Sequence, residues 1–217
     1  MENRPEEVLR LLQLSFIGKI IAGFTHEVKN HIAIIKESAG LMEDILKFGK
    51  KEKIDQGQFL EIIGSVGEQI ERSLELFSHL NRFAHRMDDS RVSFDVNEAL
   101  EDLISLLSRF ARQRKISFER EFQKDIPAIR NDPALLQFLV FCYIEEAMTK
   151  LDKNSRIILS TSLSDGRISV GIGPRGDEVV SDKGMCSDEI RDYVIKRLGG
   201  TISQEKEETV INFVSMS

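Results

Sequence analysis

The chain has 217 residues, enough for one large domain or two small ones, and its 41% hydrophobic and 30% charged content is ordinary for a globular protein. Its formal charge of -6 argues against nucleic acid as the main partner, because a phosphate backbone calls for concentrated positive charge. Cys142 and Cys186 lie far apart and outside any CxxC pair, which excludes a disulfide framework and a zinc site and makes a reducing cytoplasm the expected setting.

From Pro5 to Phe48 no proline interrupts a helical pattern, and Ile17, Ile21, Phe24, Val28, Ile35, Met42 and Ile45 form a stripe stepping by three and four. His31 and Ser38 complete that stripe with polar side chains. The most apolar stretch, LLQLSFIG, is hemmed in by Arg10 and Lys19, and no uncharged apolar run approaches the roughly 18 residues of a membrane span, so none is expected. KFGKKEKIDQGQ, with Gly49, Gly57 and clustered lysines, reads as a loop. A second helix is expected from Gln58 to Met87, with Ile62, Ile63, Val66, Ile70, Leu74, Phe77, Leu80 and Phe83 on one side. Two such helices make an antiparallel hairpin. Alone it leaves much apolar surface wet, so a homodimer closing a four-helix bundle is expected.

The pattern changes after MDDSR, which places a boundary near Ser90 between units 1–89 and 90–217. Asp95 with Glu98 three residues on predicts a capped helix running to Gln113. It ends in RFARQRK, where Arg109, Arg112, Arg114 and Lys115 either complement the helix dipole or form an anionic-ligand patch. ISFEREF alternates as a strand; Asp132-Pro133 then opens a helix that stays apolar for about three turns. RIILSTSL and GRISVGI flank Asp165-Gly166 as a hairpin. SDEIRDYVIKRL is a helix stopped by Gly199-Gly200, and TISQE with TVINFVSM closes the chain as another hairpin around KEE. The fold class is therefore α+β: a helical hairpin, then one sheet covered by helices.

Within FTHEVKNHIAIIKE, helical geometry separates the two histidines. At about 100° per residue, His26 lies roughly 160° from Phe24 and Val28 and points away from the stripe, whereas His31 falls on it as a seam residue. Glu27 is placed to orient the His26 ring and accept its proton, and Asn30, one turn on, to position an oxygen or a water. A neutral imidazole near pH 7 has a ring nitrogen free to attack phosphorus.

The same stretch resembles the phosphoacceptor box of two-component sensor histidine kinases, with His31 where that family usually has proline. LFSHLNRFA resembles the end of the family's second hairpin helix, and SFDVNEALEDLISLLSRFARQRKISFEREFQKDIPAIRNDPALLQ its entry into the ATP-binding domain, so the likeness covers nearly the whole chain. The resemblance implies that His26 takes up phosphate, that Glu27 is its acid/base partner, and that Asn30 assists dephosphorylation.

It also implies a degenerate histidine-kinase-type ATPase sandwich. Glu146 stands where the family's Asn holds Mg²⁺, and Ile172 where an Asp accepts from the adenine amino group; the matching box ends at Gly176. One unpaired buried donor costs about 1–3 kcal/mol. Met185-Cys186-Ser187-Asp188 replaces a glycine box, and the lid between Gly176 and Gly184 is short. Useful ATP binding is not expected, and no metal site of the chain's own.

The expected function is a histidine phosphotransferase passing phosphate between receiver-domain aspartates of response regulators through His26, with Mg²⁺ supplied by the receiver. Ala33, Ile34, Glu37 and Leu41 share the His26 face and are the expected docking surface, the alternative being that Ile34 and Leu41 widen the bundle core. The other readings are an ATP-dependent sensor kinase with a divergent site, a non-catalytic dimeric scaffold, and a regulator phosphatase using Glu27 and Asn30. With no sensory domain expected ahead of the hairpin, input is expected through another protein.

Overall fold

A computed structural model describes residues 4–48, 56–177, 184–205 and 208–214. Helices α1 (Arg4–Phe48) and α2 (Gln56–His85) form the hairpin, within two residues of the expected bounds. Of the loop expected between them, residues 49–55 lie outside the described residues. The hairpin is followed by β1 (Val92–Phe94), α3 (Val96–Gln113), β2 (Ser117–Phe122), β3 (Ile129–Asn131) and α4 (Pro133–Lys150). The chain then runs through β4 (Arg156–Ser164), β5 (Arg167–Arg175), α5 (Asp188–Leu198), β6 (Thr201–Glu205) and β7 (Glu208–Val214). The α+β class expected from the sequence is the class observed.

Local chemistry sets the element ends. Asp95 accepts from the Glu98 backbone N–H at 3.0 Å and starts α3; Asp132 accepts from that of Leu135 at 2.9 Å and starts α4. At the β4–β5 hairpin, Asp165 and Gly166 take φ of 50° and 70°, the paired positive values of a two-residue turn whose twist matches the strands. Gly199 ends α5 in the left-handed region at φ 65°. Five strands form one sheet in the order β2-β4-β5-β7-β6, with β2 parallel to β4 and the other neighbours antiparallel. Ile157, Leu159, Ile168, Val170, Ile172, Ile211 and Phe213 alternate onto its buried face. A separate two-stranded ribbon pairs β1 with β3, which the sequence did not announce because each strand is only three residues long.

The hydrophobic core crosses the sequence boundary at Ser90. Leu9, Phe16 and Ile20 of α1 and Phe83 of α2 are buried in one cluster with α3, α4 and the sheet. The Phe16 ring meets Phe83, Phe138 and Phe141 with centroids 5.5, 5.9 and 4.5 Å away. Helix α1 therefore carries two stripes. One, with Phe24, Val28, His31, Ile35 and Met42 half-buried, faces α2; the other, Leu9-Phe16-Ile20-Gly23-Glu27, faces the sandwich. The single seven-residue stripe expected for α1 is thus incomplete, and its member Ile21 is half exposed. By length and composition alone α1 is also long and apolar enough to cross a membrane, although Leu9, Phe16 and Ile20 are buried against the sandwich.

A buried polar network fastens the end of α2 to α3. Asp102 is wholly buried and accepts from His79 Nδ1 at 2.7 Å, Arg82 Nη2 at 2.6 Å and an Arg86 guanidinium N–H. Arg86 also reaches Glu98 at 2.7 Å. Burial alone would push the Asp102 carboxyl up, but the three hydrogen bonds from His79, Arg82 and Arg86 overcome it and hold the pKa at about 2.

Candidate functional site: an exposed histidine beside a helix end

His26 sits midway along α1 with its ring exposed. Asn30 Nδ2, one turn on, lies 3.2 Å from His26 Nδ1. Asn30 can serve either tautomer. Its amide N–H donates to an unprotonated Nδ1; after an amide flip its carbonyl accepts from Nδ1–H and leaves the Nε2 lone pair facing solvent. His31 is half-buried in the α1–α2 seam, its Nδ1 3.0 Å from Ser73 Oγ. Ala33, Ile34, Glu37 and Leu41 are all exposed on the flank that begins with His26 and Asn30.

Glu27 does not lie against the ring. Its carboxylate points to the end of α3, where Arg112 Nη2 pairs with Oε2 and Arg109 Nε stands 3.8 Å from Oε1. One turn earlier, the Phe110 ring packs on Gly23 so closely that a Cβ there would sit 2.7 Å from Cε2. The Arg109 guanidinium lies 5.7 Å over that same ring. Glycine at position 23 thus lets the helix end approach α1, and the two arginines clamp the next turn. Of the four cations in RFARQRK, these two face α1, while Arg114 donates to the Met148 carbonyl at 2.8 Å. The sequence signal for this contact was the second α1 stripe, Leu9 to Glu27, hidden because its last two members are a glycine and a carboxylate.

Glu146, Ile172 and Gly176, far apart in sequence, line one cavity of about 630 Å³ together with Tyr143, Lys150 and Arg191. Glu146 is paired with Arg191 and, at 2.6 Å, with Lys150. Burial raises the Glu146 carboxyl, and these two cations more than offset it, leaving it below the usual carboxylate range. Arg191 also lies 4.5 Å over the Tyr143 ring, whose hydroxyl burial pushes up to about 12. Ile172 is buried in β5 opposite Leu159 and Thr209. Most of the expected short lid, residues 178–183, lies outside the described residues. The two cysteines treated separately in sequence are neighbours: burial raises the Cys142 thiol, and a hydrogen bond with Cys142 lowers that of Cys186.

A long hairpin presents an exposed histidine and packs on a helix-covered sheet, and in sequence the chain is similar to sensor histidine kinases. Over 187 residues it is 22% identical to the sensor histidine kinase ZraS of Klebsiella oxytoca, a match covering 86% of this chain and 38% of that protein. The chain therefore spans well under half the length of the curated relatives it matches. Among solved structures, the Acinetobacter baumannii histidine kinase AdeS aligns with a TM-score of 0.46 at 15% identity, covering 88% of this chain and 98% of that one. The histidine kinase ThkA, solved in complex with the response regulator protein TrrA, aligns with a TM-score of 0.46 at 17% identity, covering 98% and 64%. No family model matches the chain.

Proposed function

We propose that the chain is a histidine phosphotransferase: His26 receives a phosphoryl group from the aspartyl phosphate of one receiver domain and passes it to another. The observation that carries this reading is the pairing of an exposed imidazole with a nucleotide-site remnant whose acidic group is paired with the chain's own cations. At the position where the family resemblance places a magnesium ligand, Glu146 is committed to Arg191 and Lys150. Where it places the adenine acceptor, Ile172 offers none. These residues do not fit an adenine nucleotide with Mg²⁺ in the manner of the family. The working site is the hairpin, acting as a homodimer in the cytoplasm, with receiver domains as partners that bring their own Mg²⁺.

Chemically, the Nε2 lone pair attacks phosphorus in line, the N–P bond forms as the P–O bond breaks, and the aspartate leaves as a carboxylate. The ring proton stays on Nδ1, where the Asn30 carbonyl accepts it. Asn30 completes the site, and Ala33, Ile34, Glu37 and Leu41 extend it as a docking face. Mixing the protein with a panel of phosphorylated receiver domains should place acid-labile label on His26, and His26→Gln should abolish it. Absence of transfer from every receiver would sink the reading.

A second reading, an ATP-dependent sensor kinase with a divergent site, stands nearer to the relatives' names, and the retained cavity of about 630 Å³ favours it. Radiolabelled ATP alone distinguishes the two. Label on His26 without a partner would establish the kinase and displace the relay.

A further inference from the structure

The structure assigns a role to the end of α3 that rests on the phosphotransfer reading: we propose that Arg112, backed by Arg109, neutralises the phosphoryl group on His26. This makes Arg112 part of the phosphoacceptor site although it lies 86 residues further along the chain and in the sandwich.

The argument begins with charge. The Glu27 carboxylate meets two guanidinium groups, so this half-buried junction holds one positive charge more than it needs. Arg109 and Glu27 are both well covered, with side-chain exposures of 15% and 16%, while Arg112 is 64% exposed. Arg112 can therefore leave without stranding a buried carboxylate, because Arg109 remains against Glu27. A dianionic phosphoryl group is the stronger attraction for a planar guanidinium, whose paired N–H groups match two of its oxygens.

Placement agrees. At about 100° per residue, Asn30, Gly23 and Glu27 lie roughly 40°, 60° and 100° around α1 from His26, all on one flank. The contact of Phe110 with Gly23 brings the end of α3 to that same flank. Further along α1, the exposed face over Ala33 and Glu37 stays open for the incoming receiver. When the N–P bond forms, the charge gathered on the non-bridging oxygens meets Arg112 swinging from Glu27, and no proton need move to or from the arginine.

Phosphoramidate tests this without a receiver: Nε2 attacks its phosphorus, the P–N bond breaks and ammonia leaves. Initial phosphorylation of His26, followed by ³¹P NMR on the full chain, should fall roughly tenfold to a hundredfold in Arg112→Ala, less than the loss of a preorganised donor because Arg112 must first leave Glu27. Arg112→Lys should recover part of the rate and Arg112→Gln should not. Salt should slow the wild type and leave Arg112→Ala nearly unaffected, a response that a purely structural ion pair would not produce. Circular dichroism melts establish that each variant is folded.

Wild-type rate and salt dependence in folded Arg112→Ala would overturn the inference while leaving phosphotransfer standing. Arg112-dependent uptake from phosphoramidate with none from any receiver would keep the inference and overturn the relay. Failure of the wild type with both donors would overturn both.

Discussion

Asp102 is the side chain on which the join between hairpin and sandwich turns. Removing it leaves His79 without its anion and Arg86 with only the exposed Glu98, although both are just 9% exposed. Breaking one side of a buried pair is far more damaging than the pair is worth, so Asp102→Ala should cost about 3–5 kcal/mol in urea unfolding. The pH dependence follows from the same contacts. A carboxyl held at about 2 in the folded state and near the ordinary value when unfolded stabilises the fold above the unfolded pKa. That stability is lost as pH falls from about 4 through about 2. The wild type should therefore lose about 2 kcal/mol more than Asp102→Asn across that window, read by denaturant melts at stepped pH. In sequence, Asp102 is one acid in the middle of an amphipathic helix. Nothing local marks it, because its partners arrive from the end of α2 and the turn after it, 16 to 23 residues earlier.

Among the elements, α1 was the easiest to find and the hardest to read in full. Its length and its α2-facing stripe follow from periodicity. Its second stripe ends in Gly23 and Glu27, residues that hydropathy discounts, so the contact with α3 went unread. Glycine in a helix interior costs about 1 kcal/mol relative to alanine, which makes two positions informative. Gly40 has open space where a Cβ would stand, and Gly40→Ala should raise stability by about 1 kcal/mol in thermal or urea melts. Gly23→Ala gains the same helix term but must push the Phe110 ring aside, so its net gain should be clearly smaller. Gly23→Leu should lift α3 from α1, measured as faster amide exchange across residues 106–113. The short β1–β3 ribbon escaped the sequence for a related reason: three-residue strands carry no periodicity, and pairing alone defines them.

For the whole molecule, the exposed apolar side chains bear on the proposed homodimer. On α2 Ile63, Ile70, Leu74 and Phe77 are about half exposed, along a line beside the Ile62, Gln69 and His79 stripe that faces inward. A second hairpin of the same kind would cover them and close a four-helix bundle. Sedimentation at micromolar concentration should therefore give a dimer, and Ile70→Glu combined with Phe77→Glu should give folded monomers. A monomeric wild type would remove the bundle from the account.

By itself the sequence determined the two long helices, the caps at Asp95 and Asp132, the turn at Asp165-Gly166, the α+β class and the exposure of His26. Each depends on spacing or backbone preference within a few residues, which a linear reading can measure. Only the tertiary structure decided that the base of the hairpin is buried in the sandwich, that Glu146 is spoken for by Arg191 and Lys150, and that Glu27 faces Arg109 and Arg112. Glu146 meets Arg191 across 45 residues of chain, and Glu27 meets Arg112 across 85. Their meeting depends on how whole elements pack, and no local pattern carries that information.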